Sequence, residues 1–150
     1  MGLAAFESFL RRHTRIALDT SIFIYQMQAQ PKYSALTGRV FEWLEVRGHA
    51  AITSTVTWAE LLVVPYRDGD QQGADDLVGL LSTLPNLSWI PADLDIADLA
   101  ARARGVHRLR TPDALQAATA LYAGATGLVT NDPIFKRLDN IEVAVLDEFL

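Results

Sequence analysis

The chain has 150 residues, 13 Lys plus Arg against 18 Asp plus Glu, a formal charge of −5, half of its residues apolar and 21% charged. That balance is too apolar for a disordered chain and suits one globular domain with a sizeable core. There is no cysteine, which excludes disulfide scaffolds, Cys-ligated zinc, iron–sulfur clusters and a Cys nucleophile, and fits a cytoplasmic protein.

Residues 1–15 read as an N-terminal extension, in which Ala4, Ala5, Phe6, Phe9 and Leu10 line a short helix and Arg11, Arg12, His13 and Arg15 form a solvated basic tail. Their order, apolar before basic, is the reverse of a secretory signal. From Ile16 onward two textures alternate. A β-prone run, Ile16–Leu18, comes first. Ser34–Gly48 has an apolar stripe through Leu36, Val40, Trp43 and Leu44, and Gly48 can close a helix in the left-handed region. Ala50–Thr53 and Leu87–Ile90 are the next two β-prone runs. Asp93–Gly105 repeats Ile96, Leu99, Ala100 and Ala103 at helical spacing, with Asp93 as cap and Gly105 as stop. In Thr111–Gly124, Thr111 caps, Pro112 takes the first helical position, and Ala114, Ala117, Ala118 and Leu121 share a face suited to close packing on a sheet. Leu128–Thr130 and Ile141–Leu146 are the last β-prone runs. The longest uncharged stretch, Ala114–Asn131, holds Gln116, Thr119, Gly124 and Thr126 and reads as a helix plus a strand rather than a membrane span.

Strand and helix alternating to the end predicts an α/β domain over residues 16–150 with a mainly parallel sheet. In such sheets a ligand binds beyond the carboxyl ends of the strands. Four acids stand there: Asp19 directly after Ile16–Leu18, Glu60 a turn or two past Ala50–Thr53, Asp113 in the first turn of the Thr-Pro-Asp helix, and Asp132 after Leu128–Thr130. Each also has a plain structural reading. Asp19 and Asp132 can each cap the next helical turn, Glu60 can close a Thr-x-x-Glu box with Thr57, and Asp113 can favour a helix dipole. As a set they call for a cation, because like charges brought together raise one another's pKa and oppose folding. Carboxylate and water oxygens are the ligands Mg²⁺ and Mn²⁺ prefer, and a metal-bound water can be deprotonated for attack on a phosphodiester.

The same residues carry a resemblance to the PIN-domain ribonucleases, and within them to the VapC-type toxins of bacterial toxin–antitoxin modules. Four blocks match: Leu18-Asp19-Thr20-Ser21, Thr57-Trp58-Ala59-Glu60-Leu61-Leu62, Thr111-Pro112-Asp113-Ala114-Leu115-Gln116-Ala117-Ala118-Thr119-Ala120-Leu121, and Leu128-Val129-Thr130-Asn131-Asp132. The third and fourth together are the specific ones. The resemblance implies a PIN-like three-layer α/β/α fold with a five-stranded parallel sheet and one or two Mg²⁺ or Mn²⁺ ions in an acidic pocket. It implies hydrolysis of single-stranded or looped RNA to 5′-phosphate and 3′-hydroxyl ends. By position it makes Asp19, Glu60, Asp113 and Asp132 the catalytic and metal-site acids, with Thr20 or Ser21 and Asn131 as supporting polar groups. It further implies a homodimer and a cognate antitoxin lying across the active-site groove. Family members often begin within a few residues of the first Asp, whereas about eighteen precede it here.

Arg102, Arg104, His107, Arg108 and Arg110 fall just before Asp113 without an intervening acid. Beside an acidic pocket they are RNA-binding candidates that hold phosphates; the plain reading is a helix end and a solvated loop. Trp43, Trp58 and Trp89 sit in apolar patterns and read as core. His13, His49 and His107 lack ligand spacing. Other readings are a phosphoacceptor domain, an RNA-processing PIN nuclease outside a toxin module, and a catalytically silent scaffold. The phosphatase pattern needs an Asp where Ser21 stands, a receiver needs a late strand-end Lys, and intact acids at all four positions speak against the scaffold.

Overall fold

Every β-prone run becomes a strand in the computed structural model, which describes residues 2–150. The strands are β1 (Arg15–Leu18), β2 (Ala50–Ser54), β3 (Leu87–Ile90), β4 (Gly127–Thr130) and β5 (Glu142–Val145). They form one parallel sheet in the order β3-β2-β1-β4-β5. In the central register Ala17 lies opposite Ile52 on one side and Leu128 on the other.

Side chains alternate across this sheet, so each strand feeds two cores. Ile16, Leu18, Ala51 and Val129 face one cluster. Ala17, Ile52 and Leu128 face the other. The first is covered by α1 (Gly2–Arg11), α2 (Thr20–Met27), α3 (Ser34–Leu44), α4 (Thr55–Arg67) and α5 (Gln71–Ser82), and the second by α6 (Leu94–His107) and α7 (Thr111–Tyr122). The result is the expected three-layer α/β/α arrangement. The small face of α7, with Ala114, Ala117, Ala118 and Ala120 all buried, lets that helix lie close to the strands. No helix among the described residues is long and apolar enough to cross a membrane.

Helix ends depart from the expected pattern by a residue or two. Asp93 caps α6 as read, accepting from the Ile96 N–H at 3.0 Å. The helix runs past Gly105 and closes on Arg108, which takes the left-handed conformation with φ 57°. Helix α7 begins at Thr111 itself, with Arg110 in the capping position and no side-chain cap.

The short helix expected through Phe6, Phe9 and Leu10 forms, and Arg11, Arg12 and Arg15 are exposed as expected, but the segment packs onto the fold and His13 is buried. Helix α1 buries Phe6, Phe9 and Leu10, and the Trp43 indole N–H donates to the Leu10 carbonyl at 3.1 Å. His13 is buried, its ring nitrogens 2.7 Å from Thr126 Oγ1 and 2.9 Å from Glu142 Oε2. Arg12 pairs with the same Glu142 carboxylate. This close approach explains Gly127: a Cβ there would stand 3.0 Å from the Phe9 ring and 3.1 Å from His13.

Candidate active site

The sheet order reverses between β1 and β4, and a crevice opens at the carboxyl ends of strands at such a switch point. Here it is a cavity of about 390 Å³ whose walls include Asp19, Thr20, Ser21, Tyr25, Glu60, Asp113, Gln116, Asn131 and Asp132. All four acids read from the sequence therefore reach one cavity, and none of its lining residues is basic. The capping readings hold beside this one for two of them. Asp19 Oδ1 accepts from the Thr20 N–H at 2.8 Å as the cap of α2. Asp132 Oδ1 accepts from the Ile134 N–H at 3.0 Å, starting the 3₁₀ turn Pro133–Arg137. Each spends one carboxylate oxygen locally.

Asp113 and Glu60 are held differently. Asp113 sits in the first turn of α7, facing Arg110 Nε across 3.3 Å. Glu60 does not close a box with Thr57, because α4 starts at Thr55 under a Ser54 cap. Instead Glu60 Oε1 accepts from the Thr20 hydroxyl at 2.8 Å. Asp19 is the most enclosed acid. Burial pushes its carboxyl up to about 6, opposed by hydrogen bonds from Thr130 and the Thr20 backbone, with the Glu60 and Asp113 charges adding to the rise. Burial is the main cause of the rise, and the neighbouring carboxylates add to it in the same direction.

The supporting polar groups separate. Thr20 serves Glu60. Ser21 Oγ is buried without a hydrogen-bond partner, in a residue that lines the cavity. Asn131 is committed to a clamp: its Nδ2 donates to the Tyr25 and Tyr33 hydroxyls, each at 3.1 Å, and its Oδ1 accepts from the Asp147 N–H at 2.9 Å. Sequence reasoning missed those tyrosines, and it missed Gln116 and Thr130. The one local signal was Gln116, a polar residue on the alanine face of α7, one turn beyond Asp113.

The arginines do not line the cavity. Arg102 turns onto Asp98 at 3.3 Å, one helical turn back. Arg104 braces the loop into α7, donating to the Leu109 carbonyl at 3.1 Å and to Thr111 Oγ1 at 2.7 Å. Arg110, 78% exposed, sits at the rim beside Asp113. Arg108 is exposed at the turn between α6 and α7.

Donor chemistry decides whether a hard divalent cation fits. The cavity offers four carboxylates, the unpartnered Ser21 hydroxyl and no sulfur or imidazole, an all-oxygen set of the kind Mg²⁺ and Mn²⁺ take. Among the described residues no three His, Asp or Glu side chains form a ready-made cage. Mg²⁺ does not require one, since it keeps several waters and is commonly held by one or two carboxylates.

A family model described as PIN domain matches residues 16–141. No curated protein matches the chain in sequence. Among solved structures, the chain resembles VapBC-1 from nontypeable Haemophilus influenzae with a TM-score of 0.68 at 22% identity, over 89% of this chain and 98% of that one. It resembles VapBC2 from Rickettsia felis, bound to a promoter DNA fragment, at 0.66 and 18%, over 87% and 97%. FitAcB from Neisseria gonorrhoeae gives 0.63 and 21%, over 85% and 95%. At these identities the likeness is one of fold.

Proposed function

This chain belongs to the PIN-domain family, and from that premise we propose that it is a Mg²⁺- or Mn²⁺-dependent endoribonuclease, the toxin of a bacterial toxin–antitoxin pair. The observation that carries the nuclease reading is the switch-point cavity, where Asp19, Glu60, Asp113 and Asp132 converge without a basic wall residue. Those four acids would hold the cation, directly or through water. When bound, it supplies a deprotonable water and charge neutralisation at the phosphodiester.

The remaining work falls to the chain. Thr130 and the Thr20 backbone fix both oxygens of Asp19. Thr20 orients Glu60. Arg110 stands where a phosphate entering over Asp113 would meet a planar, always-charged donor fork. The toxin assignment and a cognate antitoxin are supported by the likeness to VapBC and FitAcB structures; a homodimer is part of the same proposal.

Calorimetry with Mn²⁺ and cleavage of a mixed single-stranded RNA test the nuclease reading. Wild type is expected to bind and cut, and the Asp19→Asn/Asp132→Asn variant to do neither. Equal Mn²⁺ affinity in the two proteins would overturn it. For the toxin reading, induced expression is expected to arrest bacterial growth only with Asp113 intact; equal arrest by Asp113→Ala at equal protein level counts against it.

A further inference from the structure

Behind the acids lies a buried polar cluster that neither packing nor capping explains. Thr53, Thr57 and Gln116 are each at most 5% exposed, on β2, α4 and α7. Gln116 Nε2 donates to Thr57 Oγ1 at 2.7 Å and to Thr20 Oγ1 at 3.3 Å. Thr53 Oγ1 lies 2.9 Å from both the Leu18 carbonyl and Thr57 Oγ1. The chain of hydrogen bonds ends on Glu60, through the Thr20 hydroxyl at 2.8 Å.

Proton counting gives the cluster a direction. A hydroxyl has one proton and can accept twice; a carboxylate and a carbonyl only accept. The Leu18 carbonyl therefore takes the Thr53 proton, and Glu60 takes the Thr20 proton. The Gln116 Nε2 amino group is the only one in the cluster with two protons to give and no lone pair that accepts. By donating to Thr20 and Thr57 it occupies one acceptor position on each, and the Thr57 hydroxyl, 3.0 Å from Thr20 Oγ1, can occupy the other on Thr20, so that the Thr20 proton points at Glu60. Glu60 is exposed on α4, and among the described residues the Thr20 hydroxyl is the one hydrogen-bond partner of its carboxylate. Its orientation thus depends on that single proton.

We propose that Gln116 is a positioning residue for Glu60, acting through the Thr20 hydroxyl. Helix α7 then serves the cavity twice: Asp113 is delivered to the wall directly, and Gln116, three residues later on the same face, fixes the acid supplied by α4. The importance of Glu60 to the chemistry rests on the nuclease reading above; the link from Gln116 to Glu60 rests on the hydrogen bonds alone.

The test uses Gln116→Met, similar in length but without donors, with Gln116→Leu as the alternative if Met does not fold, together with Thr20→Val and the double variant. In metal-free protein, the Glu60 side-chain carboxyl ¹³C resonance is expected to move the same way in Gln116→Met and Thr20→Val. With Mn²⁺ and RNA, each single variant is expected to lose kcat by about tenfold or more, the usual cost of disturbing a group that orients a metal-site carboxylate, with KM for RNA unchanged. The double variant should fall no lower than Thr20→Val, because both changes cut one path. An unmoved Glu60 resonance, wild-type kcat in Gln116→Met, or losses that multiply in the double variant would each overturn the proposal. If wild type neither binds Mn²⁺ nor cuts RNA while the resonance moves as expected, the nuclease reading fails and the positioning link stands.

Discussion

Thr130 Oγ1 donates to Asp19 Oδ2 at 2.7 Å and accepts from the Asp132 N–H at 3.0 Å. The last residue of β4 thus joins the two strand-end acid loops across the point where the sheet order reverses. Without that hydroxyl, Asp19 would lose the strongest of the hydrogen bonds that favour its charged form.

Asp19 gives the first prediction. Its folded pKa of about 6 lies above the ordinary 3.8, so between these values the folded state holds more protons than the unfolded one. Stability therefore falls as pH rises through that window. The full shift corresponds to an upper bound of about 3 kcal/mol. With chelator present, Asp19→Asn should be more stable than wild type by about 1–3 kcal/mol at pH 8, and the gain should vanish below the unfolded pKa near 4. Asn keeps the oxygen that caps Thr20, so the cap is spared. Thermal unfolding at the two pH values checks it; a loss at both would make capping the dominant role.

The N-terminal helix gives the second. Phe6 is fully buried and meets the Phe149 ring edge-on at a centroid distance of 5.2 Å. Phe6→Ala should cost about 3–5 kcal/mol by denaturant unfolding. Were residues 2–11 an independent arm, the change would cost nearly nothing.

The third concerns Glu142, whose carboxyl is held below its ordinary value by the hydrogen bond from Arg12, with His13 also contributing. A depressed folded pKa gives stability that is present above the unfolded value of 4.5 and lost as pH falls through the folded one. Glu142→Gln should therefore lower the melting temperature at pH 7, and the effect should fade as pH falls below the unfolded value and on through the depressed folded one. A pH-independent drop would mean that shape, not charge, docks α1.

What could be read from the sequence was local. The strands were visible because a strand is four or five residues of β-prone side chains, and α7 because Thr-Pro-Asp and an alanine face are contiguous. Helix α2 hid because its eight residues, TSIFIYQM, are apolar without a helical stripe. Asp19, Asp113 and Asp132 could be placed because each follows its own strand or opens its own helix, and Glu60 because it stands within two helical turns of β2. Their oxygen partners could not: Thr130 reaches Asp19 across 111 residues and Gln116 reaches Thr20 across 96. Nothing short-range in the chain marks such a pair. Helix α1 misled for a related reason, since burial of Phe6, Phe9 and His13 depends on Gly127 and Glu142, far along the chain.

The arginines give the last prediction, and here the structure divides a run that the sequence left whole. Arg104 has two hydrogen bonds to the loop entering α7, so Arg104→Ala should cost about 1–2 kcal/mol of stability and disturb cleavage by loosening Asp113. Arg102 makes one exposed pair with Asp98, and Arg102→Ala should lie within about 0.5 kcal/mol of wild type. Neither should change the salt dependence of RNA binding. Arg110 remains exposed beside Asp113 at the cavity rim and Arg108 is exposed two residues earlier at the α6–α7 turn, and the acids of the cavity repel RNA unless nearby cations offset that charge. Replacing both with Ala should weaken binding and flatten the log–log salt slope by about 0.7 for each phosphate of a single strand that is no longer neutralised. Mn²⁺ affinity should change little, because arginine is no ligand. Binding measured across a salt series in the Asp19→Asn background separates the effects. If the Arg102 variant flattens the slope and the Arg108/Arg110 variant does not, the RNA path runs along α6 rather than over Asp113.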